Sequence, residues 1–199
     1  MPTIHLIRHG QKQLNLDNPS LTKLGIEQAK QTGKYFSQFP INQIIASPQN
    51  RTAETAAYIG DQLSLPFSKD ERLLERMDFY EPDTTRENFL QEWIKATHDR
   101  DYDPKYGDSS RATGERVSNL IKSLKLAEGQ DILLVTHGGA IIDYLRNQFG
   151  DDSVMTLIKQ YDLGQDYQMH NCAINSISFV SNPKLEKLNY AKHLTDLSE

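Results

Sequence analysis

Two histidines, His9 and His137, each come directly after an apolar run that has the length of a buried strand. Arg8 precedes the first histidine, and a glycine follows each of them. Ligands of open α/β sheets bind outside the carboxyl ends of the strands, so these side chains are expected to meet at one edge of a sheet. A neutral imidazole can attack phosphorus, and a guanidinium group offers forked donors to phosphoryl oxygens. The pattern therefore predicts chemistry on a phosphate group.

A second arginine, Arg51, lies where a second strand is expected to turn into a helix. The first turn of a helix presents free N–H groups and the positive end of the helix dipole, which attract anions. A bound anion would explain an arginine at this place; the alternative is a solvent-facing Arg51 that pairs with Glu54 or Thr55. After the second histidine, Gly138 and Gly139 are expected to form a tight turn that lets the backbone approach a ligand closely.

The elements that must position these residues follow from the hydrophobic pattern, in which strands and helices alternate as in a layered α/β sheet. The predicted strands span 3–8, 41–47, 131–136, 174–180 and 185–190. The predicted helices are 22–39 with Thr22 as N-cap, one starting at Pro48, 86–98, one from an N-cap at Thr113 to 127, and 140–149. We expect a single α/β domain over 1–199, with three α/β/α layers and a mostly parallel sheet. The segment 76–113 is expected to form a small cap of helix and loop over the carboxyl edge of the sheet.

Composition narrows the class of protein further. Hydrophobic residues make up 37% of the chain and charged residues 25%, as in soluble globular proteins, and no apolar run reaches the roughly 20 residues that span a bilayer. The net charge of −5 argues against general nucleic-acid binding, but a local cluster of cations can still hold a small anion. The single cysteine, Cys172, excludes an internal disulfide. Because the chain opens on a strand and not on a secretory signal, we expect a cytoplasmic protein that binds neither membranes nor nucleic acids.

Taken in order, these segments resemble the histidine phosphatase superfamily, also called the phosphoglycerate mutase-like family. The segments that carry the resemblance are Leu6-Ile7-Arg8-His9-Gly10, the run from Leu21 to Ala29, Ser47-Pro48 with Arg51 to Thr55, and Val135 to Gly139. They cover nearly the whole chain. The resemblance implies the phosphoglycerate mutase-like fold and, on the phosphatase branch of the family, hydrolysis of a phosphomonoester.

The resemblance also implies roles for individual residues. His9 would be the nucleophile that forms a phosphohistidine. The implied phosphate site consists of the catalytic residues Arg8, His9, Arg51 and His137 and the substrate-binding residues Asn15 and Gly138. Such a site needs no metal ion, since guanidinium and imidazole groups can replace one in phosphoryl transfer.

The family's proton donor lies in an Arg-Leu-x-Glu segment, which residues 72–75 match. Glu75 would protonate the leaving oxygen and then activate the water that attacks the phosphohistidine. The less favoured acids nearby are Glu71, Asp78 and Glu81. The chain departs from many members after Glu75, where it lacks their glycines and a Trp-Glu-Gly, and at Arg116, where they have the serine of Gly-Glu-Ser. These departures leave the core chemistry in place and weaken inference about the substrate.

The segment 76–113 carries six Lys or Arg, nine Asp or Glu, and six of the 17 aromatic residues. A bisphosphorylated sugar would need extra cations in its binding site, and this segment is net acidic. We therefore expect the substrate to be a small monophosphate with an apolar or aromatic body. A phosphoprotein substrate stays open. The alternative for the aromatic residues is that they pack only against one another in a small core.

Three other functions stay open. A phosphoglycerate mutase-type phosphotransferase needs a closed cationic pocket, which the net acidic span of 62 residues from Glu75 to His137 disfavours. A phospho-ligand binding module without activity needs neither a nucleophile nor a proton donor, so the presence of His9 and Glu75 argues against this function. A metal hydrolase needs close ligand spacing such as His-Glu-x-x-His, which the sequence lacks, and Arg8 would repel the cation. We therefore expect no cofactor, and nothing in the sequence predicts the oligomeric state.

Overall fold

The computed structural model describes residues 1–14, 17–79, 84–160 and 169–194. Along these residues it contains six strands of one sheet and six α-helices. The strands are β1 (Thr3–Arg8), β2 (Ile41–Ala46), β3 (Phe67–Lys69), β4 (Asp131–Thr136), β5 (Ile174–Phe179) and β6 (Pro183–Tyr190). The α-helices are α1 (Lys23–Phe36), α2 (Asn50–Leu63), α3 (Arg86–His98), α4 (Ser110–Ser123), α5 (Gly138–Phe149) and α6 (Asp151–Gln160). Two short 3₁₀ turns are formed by Glu71–Leu73 and Lys192–Leu194.

The strand order across the sheet is β3-β2-β4-β1-β5-β6. The first four strands of this order run parallel, whereas β5 is antiparallel to both β1 and β6. Arg8 is in register with Thr136, and Ala46 with Val135, so three adjacent parallel strands end at the same edge. The predicted mostly parallel α/β sheet is confirmed, and its carboxyl edge is where the two histidine motifs begin.

The described residues fall into two compact units, of which the first lies within the bounds Met1–Leu73, Lys125–His137 and Met169–Glu199. It contains the whole sheet together with α1 and α2. Its apolar core joins side chains of the central strands to α1 and α2. The fully buried members of this cluster are Ile7, Phe36, Ile44, Ala46, Ala56, Ile59, Leu133, Val135 and Ile174. This core gives the carboxyl edge of the sheet a rigid support.

The second unit comprises Leu74–Leu124 and Gly138–Gln168 and contains α3, α4, α5 and α6. Helix α4 packs on α5, and Gly114 permits the close approach, because a Cβ atom there would lie 2.4 Å from the Asp143 carbonyl oxygen. This unit buries ionisable side chains as well as apolar ones. The buried ionisable groups include Arg76, Arg100, Asp143 and Arg146. The expectation of a single domain over 1–199, with a cap at 76–113, stays a prediction.

Helix boundaries confirm some of the sequence predictions and correct others. Thr22 is the N-cap of α1, and its hydroxyl accepts the Gly25 N–H at 3.0 Å. The predicted cap at Thr113 is wrong: α4 begins at Ser110, and the hydroxyl of Ser109 accepts the Ala112 N–H at 3.2 Å. The earlier hydroxyl takes the cap, and Thr113 lies buried in the first turns of the helix.

The turn after the second histidine motif also differs from the expectation. Helix α5 begins at Gly138, two residues before the predicted start, so Gly138 and Gly139 form its first turn and not a separate tight turn. Close approach to the backbone is confirmed at Gly139, where a Cβ atom would lie 2.5 Å from Glu75 Oε1 and 2.8 Å from the Trp93 ring.

Candidate active site

His9 follows β1 directly and is fixed by the ends of the neighbouring strands. Its N–H donates to the Thr136 carbonyl at 3.0 Å, and its carbonyl accepts the Cys172 N–H at 3.2 Å. The residue is only 5% exposed. The backbone of His9 is therefore held by hydrogen bonds to two other segments of the first unit.

The hydrogen bonds of His9 define which ring nitrogen carries the proton. Nδ1 lies 2.8 Å from the Gly10 carbonyl oxygen, which can only accept, so Nδ1 is the donor. In the neutral ring the lone pair then belongs to Nε2. A neutral Nε2 is the form of histidine that can attack phosphorus.

His137 follows β4 and is fully buried. Its Nδ1 accepts from Arg51 Nη2 at 3.2 Å, because a guanidinium group can only donate. Its Nε2 lies 3.0 Å from Ser47 Oγ and is the donor in the neutral ring. The His9 and His137 rings are 5.4 Å apart between centroids, in an edge-to-face arrangement.

Both imidazoles are held in the neutral form. Burial lowers the pKa of His9 well below its usual value, and the guanidinium groups of Arg8 and Arg51 lower it further. Burial likewise lowers the pKa of His137, with Arg51 as the next cause. The neutral state that a nucleophilic imidazole requires is therefore favoured by the site itself.

The two arginines are anchored in different ways. Arg51 lies in the first turn of α2, as predicted, and is 3% exposed. Thr55 ties this turn to the first histidine motif, since its hydroxyl donates to the Arg51 carbonyl at 2.6 Å and accepts the Gly10 N–H at 3.0 Å. Arg8 is half-buried, and its Nη1 donates to the Met169 carbonyl.

Four of these groups were predicted as site residues from the sequence, whereas Ser47 and Thr55, which stand in the segments that carry the resemblance, were assigned no role there. The structure brings Arg8, His9, Arg51 and His137 together in the first unit, as the direct contacts and charge interactions above show. Ser47 follows β2 in the same way that His9 follows β1, and this common position was the available signal. Asn15, the remaining residue of this unit named from the sequence, lies outside the described residues.

Glu75, in the second unit, is half-buried and its carboxylate accepts three backbone hydrogen bonds. Oε1 accepts from Arg76 N at 2.8 Å and from Ala140 N at 2.9 Å, and Oε2 accepts from Gly139 N at 3.2 Å. The N–H groups of the first turn of a helix have no partner within the helix, and a carboxylate there is favoured by the dipole. Glu75 is thus not a solvated loop acid, because its carboxylate caps α5.

Three of the six aromatic residues of 76–113 contact one another in the second unit. The Phe79 and Phe89 rings lie 5.5 Å apart between centroids, and the Phe89 and Trp93 rings 6.1 Å apart. The contacts match the small aromatic core named as the alternative to a substrate-binding lid. Tyr80, another of the six, lies outside the described residues.

A helix that could span a membrane and a cluster of metal ligands are both absent from the described part of the chain. No helix there is long and apolar enough to cross a membrane. Likewise, nowhere in 1–14, 17–79, 84–160 and 169–194 do three or more His, Cys, Asp or Glu side chains gather as metal ligands would. The absence of a metal from the reaction stays a prediction that needs an experiment.

A mixed α/β sheet that gathers two buried imidazoles and two guanidinium groups at its carboxyl edge is the framework of a phosphoryl-transfer enzyme. The chain belongs to the histidine phosphatase superfamily (branch 1), whose family model matches residues 4–190. The expected membership and the phosphoglycerate mutase-like α/β fold are both confirmed.

Individual relatives include both phosphatases and mutases. An uncharacterized phosphatase, PhoE of Bacillus subtilis, is 27% identical over an alignment of 205 positions that covers 98% of each chain. A 2,3-bisphosphoglycerate-dependent phosphoglycerate mutase of Rhizobium rhizogenes is 34% identical over an alignment of 160 positions that covers 70% of this chain and 75% of the mutase. Among solved structures, a mycobacterial glucosyl-3-phosphoglycerate phosphatase with inorganic phosphate matches with a TM-score of 0.72 at 21% identity, over 96% of this chain and 98% of that one. This last likeness shows the fold.

Proposed function

We propose that the protein is a cytoplasmic, metal-independent phosphomonoester hydrolase that acts through a phosphohistidine on His9. In the first step Nε2 of His9 attacks phosphorus and forms the N–P bond, while the ester P–O bond breaks. The proton that the leaving alkoxide takes up comes from the carboxyl group of Glu75. Arg8 and Arg51 bind the phosphoryl oxygens, together with Asn15 and the backbone of Gly138, and His137 joins them when its Nε2–H turns from Ser47 Oγ to the substrate.

The second step returns the enzyme to its starting state. Water attacks the phosphorus of the phosphohistidine and gives its proton to the carboxylate of Glu75, while the N–P bond breaks and releases inorganic phosphate. The contacts of Glu75 support this exchange of a proton: Oε1 accepts two N–H groups and Oε2 only one, which makes Oε2 the oxygen with room for the proton.

The observation that carries the proposal is the hydrogen bond from His9 Nδ1 to the Gly10 carbonyl at 2.8 Å. It commits one ring nitrogen as a donor and leaves the other with the lone pair that phosphorus needs. The lowered pKa of His9 keeps that lone pair available in mildly acidic solution.

Phosphoglycerate mutase is the second candidate function, because the Rhizobium rhizogenes relative at 34% identity carries that name. A mutase must return the phosphoryl group to a bound acceptor before water reaches it. The segment 76–113 has nine acidic and six basic residues, so we favour transfer to water over transfer to a second phosphorylated anion.

The proposed function predicts turnover in the absence of divalent metal. With an aryl phosphomonoester as substrate and excess EDTA, we expect one inorganic phosphate for every phenol released. The Glu75→Gln variant is expected to lose about 10²-fold in kcat/KM on an alkyl phosphomonoester, because a general acid contributes about that much. A rate restored only by added metal would replace the proposal with a metal hydrolase. Vanadate binding without turnover would indicate a binding module, and faster transfer to phosphoglycerate than to water a mutase.

A second variant displaces the carboxylate of Glu75 without removing it. In Gly139→Ala the added Cβ would lie 2.5 Å from Glu75 Oε1 and 2.8 Å from the Trp93 ring, so both side chains must shift to make room for it. We expect kcat/KM on an alkyl phosphomonoester to fall about 10-fold or more, because misplacement by about 1 Å can cost 10²-fold. Gly129→Ala is the comparison, since no atom lies within 4 Å of its added Cβ, although its φ of +72° makes some loss of stability expected. Full activity of Gly139→Ala would contradict the assigned place of Glu75.

A further inference from the structure

Arg76, the residue after Glu75, is held by three groups of the second unit. It is 2% exposed, and its Nη1 donates to Thr97 Oγ1 at 2.9 Å. Its guanidinium carbon lies 4.2 Å from the centre of the Trp93 ring, within the range of a cation–π interaction. Its Nε lies 3.3 Å from Asp143 Oδ2. The side chain is therefore held by one hydrogen bond, one ring contact and one ion pair; the last is not a hydrogen bond, because the geometry of Nε and Oδ2 does not form one.

Asp143, the partner of Arg76, is fully buried in α5 and is also bonded to the hydroxyl of Ser110. Burial raises the pKa of Asp143 to about 6, and the charge of Arg76 opposes that rise. The carboxyl group is therefore ionised at neutral pH and faces the guanidinium group as a charged pair.

One face of α5 thus contacts both Glu75 and Arg76. Gly139 and Ala140 bind the carboxylate of Glu75 through their N–H groups. Asp143 follows them by four and three residues, the spacing that puts residues on the same face of a helix. Since the Arg76 N–H is itself a donor to Glu75 Oε1, the position of Arg76 bears directly on the carboxylate.

Helix α4 contacts the backbone of the segment that carries Glu75. The guanidinium group of Arg116 donates to the carbonyl of Leu74 at 3.3 Å and to that of Glu75 at 3.4 Å, while Asp108 accepts from its Nε at 2.7 Å. Arg116 is the residue that departs from the family's Gly-Glu-Ser pattern. Helix α4 thus holds the backbone of Glu75, and helix α5 holds the side chain of its neighbour Arg76.

A buried ion pair is costly to desolvate and often adds little to the stability of the fold. The charged Arg76–Asp143 pair therefore suggests a role in holding a particular geometry, and the residue it holds is the neighbour of Glu75. We propose that Arg76 and Asp143 are positioning residues that align the carboxyl group of Glu75 for proton transfer to the leaving oxygen. This role depends on the proposed function of Glu75 as the general acid.

The test compares two substrates that differ in their need for a proton. A dinitrophenyl phosphate releases a stable anion, whereas a simple alkyl phosphate must be protonated as it leaves. We measure kcat/KM, which ends at the first irreversible step and so reports the departure of the leaving group. For Asp143→Asn we expect a loss of about 10-fold on the alkyl phosphate and of about 2-fold or less on the dinitrophenyl phosphate, since misalignment affects only the step that uses the acid.

The matched control is Asp151→Asn. Asp151 pairs with Arg100 at 2.9 Å and with Arg146 at 3.1 Å in the same unit and contacts neither Glu75 nor Arg76 in the described ion pairs. We expect it to change both substrates by the same factor. Arg76→Lys is the second variant, because it keeps a cation opposite Asp143 and so spares the fold if Asp143→Asn fails to fold. It is expected to show the same loss confined to the alkyl phosphate.

The Glu75→Gln variant distinguishes a failure of the acid role of Glu75 from a failure of the positioning role of Arg76 and Asp143. If Glu75→Gln loses equally on both substrates, the acid role of Glu75 fails and the positioning role with it. If Glu75→Gln loses selectively on the alkyl phosphate while Asp143→Asn and Arg76→Lys lose equally on both, the acid role stands. The ion pair is then structural and the positioning role is overturned.

Discussion

Replacing His9 with alanine is expected to lower kcat/KM by about 10⁴-fold or more, because the variant has no nitrogen with which to form the N–P bond. The loss should be equally large on dinitrophenyl and alkyl phosphates, since both substrates must phosphorylate the enzyme first. Wild-type protein stopped with alkali during turnover is expected to carry one phosphoryl group by intact-protein mass spectrometry. The variant is expected to carry none.

The same substitution at an exposed position is the control for this result. His98 is exposed in the last turn of α3, so His98→Ala is expected to retain full activity and phosphorylation. His9→Ala should still bind vanadate, since Arg8, Arg51 and His137 remain. A His9→Ala protein that is phosphorylated at the wild-type rate would assign the nucleophile to another residue.

The elements that sequence patterns predict best are those bounded by a clear change in polarity. Strands β1 and β4 and helix α3 have the predicted bounds, because their apolar or amphipathic runs end at polar or helix-breaking residues. Strand β3 has only three residues, too few to show an alternating pattern. Helix α6 was missed although Val154 and Ile158, both buried, have helical spacing, because a single glycine separates it from α5.

The residues of the candidate site likewise divide into those that local sequence predicts and those that only tertiary packing brings together. His9, His137 and Arg51 could be predicted because each stands at the end of a strand or the start of a helix, a place defined by local sequence. The pairing of Arg76 with Asp143 could not, because it joins residues 67 positions apart through tertiary packing. The available signal was an acidic residue, Asp143, inside the apolar stretch of α5, where an unpaired charge would be costly.

Arg51→Gln is expected to be the second most damaging substitution, with a loss of about 10³-fold in kcat/KM at mildly acidic pH. Part of the loss is a missing donor to the phosphoryl oxygens. The other part depends on pH: Arg51 is a cause of the lowered pKa of both His9 and His137, so its removal lets both pKa values rise. His9 then takes up a proton at a higher pH and loses its lone pair there. The acid limb of the kcat/KM profile should therefore move to higher pH, and the loss should shrink as the pH rises.

Substitution of an arginine elsewhere on the chain is the control that distinguishes the shift of the acid limb from a general effect of lost positive charge. Arg111→Gln also removes one positive charge, but Arg111 is half-exposed and paired with Asp101 at 2.5 Å. We expect its profile to overlay that of the wild type. Ionisation of the substrate affects all three proteins alike, so only the enzyme's own groups can displace one acid limb relative to another. If Arg51→Gln lowered kcat/KM by the same factor at every pH, Arg51 would act on the phosphoryl oxygens alone, and burial would be sufficient to keep both imidazoles neutral.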